Sequence, residues 1–352
     1  MNRKHVGPVR VGVVGCGMLA RSVHLPNLAR MQGVEVIALA DTEAAGLAAA
    51  GQLAPRASHH SAPDGLLARE DVEAVLISTP PATHADLALA ALAAGKHVYV
   101  EKPLATSLAD AERLLAAWRA TGLVGMVGFT YRFHRLVVEA RERLRGGAIG
   151  EIVAARSVFS TGRHDLPAWK RSAATGGGPL LDLVSHDADL VRFVLGREVR
   201  EVFATGGAGE DPDTVSLLLR IDGGIPVQLQ ASLGSVEEAV LEVYGRTGMV
   251  AVDRYASLRL RLSGIGARGP GTRLAGGAAE LARLPYLLSK LHAPAGEPAF
   301  RAALEAFAAA VRGSGPAEPD LLDGFRSLAV VAAAEESLQT GGPARPAEAP
   351  GA

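Results

Sequence analysis

A single cysteine, Cys16, stands in the 352 residues of the chain. That excludes an internal disulfide and any cysteine-cluster metal site, and it fits a reducing compartment. An excess of one charge is also missing: 36 Lys+Arg face 37 Asp+Glu, and the formal net charge of -1 gives no global attraction for nucleic-acid phosphate or an anionic membrane surface. Long apolar runs are absent as well. Mean hydropathy is positive at +0.19, yet the longest uncharged stretch, residues 223–236, is broken by Gly, Pro and Gln and falls short of the roughly 18 apolar residues a membrane helix needs. Residues 1–8 are short and basic and lead directly into a glycine motif, unlike a removable signal sequence. These absences predict a cytoplasmic protein with no nucleic-acid and no membrane partner. Scattered histidines such as His59 and His60 find no third ligand in the sequence, so no metal is expected.

What the chain does have is length and 48% hydrophobic residues, enough for two packed domains. The first third alternates. Strands are predicted at 9–14, 34–40, 74–79, 97–100 and 124–129, separated by helices reaching to about 28 and at 42–53, 82–94 and 107–121. Right-handed crossovers wind such units into a doubly wound parallel sheet. After residue 130 one long helix at 180–195 precedes strands at 199–205, 215–221, 226–233 and 240–244, whose succession without helices implies antiparallel pairing. Residues 263–299 read as an irregular insertion with one short helix, helices at 298–312 and 320–340 close the fold, and the Pro-, Ala- and Gly-rich end reads as a loose tail. The expected organisation is α/β: a Rossmann domain over 1–128, an α+β domain with an open, largely antiparallel sheet over 129–340, and a flexible tail over 341–352.

Three constellations carry chemistry. Gly15-x-Gly17-x-x-Ala20 follows a strand and opens a helix, where small residues allow a tight turn and the approach of a pyrophosphate to backbone N–H groups. Asp41 ends the second strand, where a carboxylate binds an adenosine ribose and repels a 2′-phosphate. Because Thr42 and Glu43 supply no cation, NAD is favoured over NADP. Glu101-Lys102-Pro103 follows the strand at 97–100 and so lies at the carboxyl edge of the sheet, where open α/β folds bind ligands. On local sequence alone, a turn with two solvated charges is the commoner explanation. Asp182 and His186 share one helix face, and Asp189 continues the stripe. An acid and an imidazole facing a cleft, or dipole placement and a satisfied buried His, fit that pattern about equally.

Order and spacing of these motifs add a resemblance. Gly15-Cys16-Gly17-Met18-Leu19-Ala20, Ser78-Thr79-Pro80-Pro81 with His84, Gly95-Lys96-His97-Val98 into Glu101-Lys102-Pro103, and Gly176-Gly177-Gly178 with Asp182, His186, Asp189 and Leu190 together resemble the glucose-fructose oxidoreductase / inositol dehydrogenase / rhizopine-catabolism (Gfo/Idh/MocA) family. The likeness continues to Gly245 and Gly248 and to Asp323-Gly324, leaving mainly 263–299 and the tail outside it. Val184 stands where many members have Gly or Ala, and Pro81 where many have Asn.

The resemblance implies NAD-dependent hydride transfer to or from a secondary hydroxyl of a sugar, polyol or cyclitol. It also implies a homo-oligomer formed through the second-domain sheet. Matched residue by residue, Lys102, Asp182 and His186 are its catalytic triad, and Gly15, Gly17, Met18, Leu19, Asp41, Thr79, Pro80, His84, Glu101 and Lys102 are the expected cofactor contacts. Tyr131, Arg132, Asp165, Trp169 and Lys170 are candidate substrate contacts, with interface packing or solvated loops as the equally good explanation. Chemistry assigns roles: His186 as the base that removes the hydroxyl proton, Asp182 as its orienting partner, Lys102 as the cation that stabilises charge on the substrate oxygen. Two other functions fit the same fold: an enzyme that recycles a tightly bound nucleotide, whether oxidoreductase or redox-assisted glycosidase, and a non-catalytic nucleotide-dependent regulator.

Overall fold

The computed structural model describes residues 7–162, 170, 177–207, 213–255, 257–264 and 284–351. The chain divides into two compact units. The first comprises residues 1–130, 297–328 and 348–352, and the second residues 131–296 and 329–347.

The first unit is built on a six-stranded sheet of order β3-β2-β1-β4-β5-β6, with β1 Val9–Val14, β2 Val34–Ala40, β3 Ser58–His60, β4 Ala74–Ile77, β5 His97–Val100 and β6 Gly125–Val127. Every pair is parallel. The inner strands are predominantly apolar because helices cover both faces of such a sheet; all four residues of β4 are buried. Connecting helices include His84–Ala93 and Leu108–Arg119, the latter capped by Ser107, whose hydroxyl accepts from the Asp110 N–H. The strand order reverses between β1 and β4, and the carboxyl ends at that switch point are where doubly wound folds bind ligands.

The unit does not stop near residue 128. A helix at Ala299–Val311 lays Phe307 against Tyr99 of β5 at 5.5 Å. The Val127 N–H donates to the Pro319 carbonyl, and a Cβ on Gly324 would stand 2.8–3.0 Å from Val127 and Leu104. The closing segment returns to the first core, a long-range pairing that local periodicity does not encode.

The second unit carries a seven-stranded sheet of order β13-β12-β11-β7-β10-β9-β8, formed by β7 Ile152–Ser160, β8 Val199–Gly206, β9 Thr214–Ile221, β10 Ile225–Ser232, β11 Glu238–Gly245, β12 Gly248–Asp253 and β13 Arg261–Gly264. All pairs are antiparallel except β7 with β10. Strict alternation of buried and exposed residues along β9 and β10 marks a sheet covered on one face. Sequence reading passes over β7 and β12 and over the amphipathic helix Arg135–Arg145. The central strand β7 holds two alanines and an arginine, a weak strand signal in isolation. Within 263–299 the described part contains a helix, Leu284–His292.

The expected loose tail is instead paired. Val202 and Ala344 exchange backbone hydrogen bonds at 2.8 and 2.9 Å, Ala344 and Ala349 are buried, and Arg119 donates to the Pro350 carbonyl. Low sequence complexity does not prevent a segment from completing an open strand edge. Among the described residues, no helix is long and apolar enough to cross a membrane.

Candidate active site

The glycine motif follows β1. Gly15 has φ +91°, and a Cβ there would stand 2.5 Å from the Ser78 carbonyl oxygen, so this glycine is demanded by the contact with the end of β4. A Cβ on Gly17 would meet nothing within 4 Å. Folding therefore explains Gly15 and leaves Gly17 on an open cradle of the kind a pyrophosphate approaches. Met18, 74% exposed, and Leu19 lead from that cradle into a π-helical turn, Ala20–His24; such turns recur at functional sites. Asp41, just past β2, accepts from the Cys16 N–H at 2.5 Å and from the Glu43 N–H at 2.8 Å. Its carboxylate thus sits against the glycine turn, with Thr42 and Glu43 exposed beside it. The open Gly17 cradle next to a fixed carboxylate fits a dinucleotide with an unphosphorylated ribose. Burial and the Asp41 charge push the Cys16 thiol up to about 12, so it is inert.

Two expected cofactor contacts turn out to face inward. His84 is buried, with Nδ1 2.7 Å from the Pro103 carbonyl and Nε2 2.9 Å from the Thr79 carbonyl. It joins the loop after β4, where Pro80 is exposed and Thr79 accepts from the Thr83 hydroxyl, to the Lys102 loop. Burial lowers the His84 pKa, while the two carbonyls and the Glu101 carboxylate pull it back up. The Glu101 carboxylate lies 2.9 Å from His24 Nε2, accepts from the Lys102 N–H at 3.3 Å and leaves no room for a Cβ on Gly128. Both side chains shape the loop that carries Lys102, which itself is partly exposed. Both are buried, with partners inside the protein, as buried polar groups usually are.

Asp182 and His186 lie in the second unit. The helix expected at 180–195 divides into a π-helical turn, Leu180–Val184, and an α-helix, Ser185–Leu195. From 181 to 192 every residue except His186 is buried. Asp182 is bound by Lys170 Nζ at 3.2 and 3.4 Å, so two expected residues meet, though as an acid and its counter-ion. Tyr131 lies against the His186 ring at 4.9 Å between centroids. Arg132, expected at the substrate, instead holds Asp189 through two bonds of 2.8 and 2.5 Å in the interior. Such a buried pair is closed to a ligand because either charge alone is costly there. Asp165, Trp169 and Gly176 lie outside the described residues. Sequence reading missed Phe159, Asp187 and Arg254, which pack around Tyr131 and His186. Asp187, charged in the middle of an apolar helix, was the available signal. Among the described residues, no three His, Cys, Asp or Glu side chains gather into a metal-holding cluster.

Comparison with known proteins places the fold in a family. The profile of the Gfo/Idh/MocA oxidoreductase family, described as an NAD-binding Rossmann fold, matches residues 9–129, and that of the Gfo/Idh/MocA C-terminal domain matches 137–251. A myo-inositol 2-dehydrogenase of Thermotoga maritima is 30% identical over 255 residues, covering 70% of this chain and 75% of that protein. The chain belongs to the Gfo/Idh/MocA family. A dTDP-3,4-didehydro-2,6-dideoxy-alpha-D-glucose 3-reductase of Streptomyces violaceoruber is 33% identical, covering 72% of this chain and 76% of that one. In fold, the chain is similar to a levoglucosan dehydrogenase solved with NADH and L-sorbose, at a TM-score of 0.84 and 21% identity over 97% and 100% of the two chains. This Gfo/Idh/MocA protein is an oxidoreductase of CH–OH donors with an NAD-binding Rossmann domain.

Proposed function

We propose that the protein is an NAD-dependent dehydrogenase of a secondary hydroxyl on a sugar, polyol or cyclitol. One observation carries the reading: in a buried helical stretch the sole side chain left accessible is an imidazole, His186, with Asp182 one turn earlier. NAD, when bound, would supply the hydride acceptor. His186 takes the hydroxyl proton, as a group that titrates near neutral pH can, and Asp182 stabilises the imidazolium. Lys170 keeps a cation beside the Asp182 carboxylate. Lys102 hydrogen-bonds the substrate oxygen and stabilises the negative charge that grows on it. Gly17 and the neighbouring N–H groups take the pyrophosphate, and Asp41 the ribose. The named activities of the relatives, on inositol and on a nucleotide-linked deoxysugar, support the substrate class.

The sheet of the second unit exposes Phe203 and Leu218, directly paired across β8 and β9 at 42% and 49% exposure. That apolar patch supports self-association through this face, and the single buried thiol suits work in the cytoplasm.

The deciding experiment follows nicotinamide absorbance at 340 nm, a general property of the reduced ring, with NAD+ and NADP+ against inositols, aldoses, sugar acids and nucleotide sugars. NAD+-preferring turnover on one class establishes the reading. Tight NAD binding without reduction by any of them overturns it in favour of a nucleotide that stays bound.

A further inference from the structure

Behind His186 the second unit buries an ion pair that the roles above do not use. Arg254, 1% exposed, and Asp187, fully buried, meet at 2.9 Å. The other Asp187 oxygen accepts from the Ser157 hydroxyl at 2.6 Å, and Arg254 Nε donates to the Ala239 carbonyl at 3.3 Å. The guanidinium lies over two rings at once, 4.5 Å from the centre of Tyr131 and 4.7 Å from that of Phe159. Those rings are the ones that contact His186, at 4.9 and 6.0 Å, and they meet each other edge-on at 5.8 Å.

Three strands and a helix thus converge on one imidazole: Phe159 and Ser157 come from β7, Ala239 from β11, Arg254 from just beyond β12, and Asp187 is the next residue after His186. A buried ion pair adds little to stability on its own account, since desolvation offsets its attraction. A cation stacked on ring faces, by contrast, fixes those rings, and the weaker hydration of guanidinium suits it to the task.

We propose that Arg254 and Asp187 are positioning residues for His186. Arg254 locks the Tyr131 and Phe159 rings that hold the imidazole, and Asp187 cancels the charge Arg254 would otherwise place beside it. This rests on His186 being the base. The charged and titratable groups facing the cluster are Asp182 with Lys170 on the helix side, Asp189 with Arg132, Arg192 and Glu198 further along it, Tyr131 and His134 from the segment before Arg135–Arg145, and Asp253, Tyr255 and Glu237 around Arg254. Burial raises the pKa of Tyr131 well above the ordinary phenol and that of Tyr255 above it too, so neither ring carries charge at neutral pH. Asp182 with Lys170 is neutral, Asp189 with Arg132 and Arg192 becomes so through Glu198, which Arg192 holds at 2.6 Å, and burial keeps His134 uncharged above about pH 4. Arg254 and Asp187 are therefore the pair whose separation changes the charge behind the imidazole.

The test reads His186 directly, by imidazole NMR titration of the full chain, its resonance assigned by loss in His186→Gln. Asp187→Asn leaves the cation uncompensated and lowers the His186 midpoint; Arg254→Met leaves the anion and raises it, each by about one pH unit. The double variant returns the midpoint toward wild type while turnover on the substrate found above stays reduced, because the rings are no longer clamped. Arg254→Lys, which keeps the charge without the planar fork, keeps the midpoint and recovers turnover only in part. A wild-type-like circular dichroism spectrum and cooperative melt of the full chain report that each variant is folded. Midpoints that stay at the wild-type value in folded single variants, or that move in the same direction, overturn the proposal. Full activity in His186→Gln overturns the assignment of the base and leaves the charge coupling to be judged by the NMR result alone.

Discussion

The candidate residues of the two units are set in different material. In the first unit the cradle is mostly backbone: a turn closed by Gly15 against the Ser78 carbonyl, N–H groups around Gly17, and two loop carbonyls tied together by His84. In the second unit the surroundings of His186 are side chains from distant segments, held by buried charge pairs. Backbone cradles recognise what every dinucleotide shares, whereas side-chain surroundings vary freely at constant fold. One frame can thereby keep its cofactor and change its substrate.

The largest effect that can break this contrast is expected at the reacting groups. His186→Ala or Lys102→Ala should cut kcat by about 10²–10⁴-fold while NAD still binds, with any weakening confined to Lys102→Ala. Loss of NAD binding in His186→Ala would show that nucleotide binding does not rest on the first unit alone. Next comes Gly15→Ala, which adds a Cβ 2.5 Å from a carbonyl at φ +91° and should cost about 3 kcal/mol in denaturant melts. Gly17→Ala, with open space around it, should leave the melt untouched and weaken NAD alone; equal destabilisation by both would erase the distinction between fold glycine and ligand glycine.

A smaller effect sharpens the side-chain half. Burial, with help from Lys290 and Arg254, lowers the pKa of His134 to about 4. The unfolded chain, with an ordinary imidazole, binds a proton below pH 6.5, and the folded chain does not until about 4. Stability is therefore full above 6.5 and falls as the pH drops toward 4, by about 2 kcal/mol at pH 5. His134→Gln should flatten that slope in melts between pH 7.5 and 5. The smallest change is at Asp41→Ala, expected to weaken NAD by about 10-fold and to narrow its advantage over NADP in paired titrations. Unchanged selectivity would remove Asp41 from the ribose.

Legibility followed the same division. The strands at 9–14, 34–40 and 97–100 agree residue for residue with the observed β1, β2 and β5, because strands buried on both faces write themselves as local apolar runs. The glycine motif was readable because a tight turn admits few residue types. Arg132 with Asp189, and Arg254 with Asp187, span 57 and 67 positions, and no local pattern announces such partners. His84 was legible as a motif residue, and its role was not: two carbonyls 2.7 and 2.9 Å away occupy both nitrogens. The closing helices were found at nearly their observed bounds, yet their attachment to the first core depends on Val127 and Leu104 meeting Gly324, a matter of topology rather than of pattern.

The pairing of Ala344 with Val202 has a consequence for the life of the protein as a material. β8 is the last strand of its sheet, and an unpaired outer strand is a template on which other chains can grow. The C-terminal segment takes the Val202 N–H and C=O out of reach. A protease that trims the final dozen or so residues would remove no catalytic group and would uncover an adhesive edge, so clipped preparations should lose solubility before they lose activity.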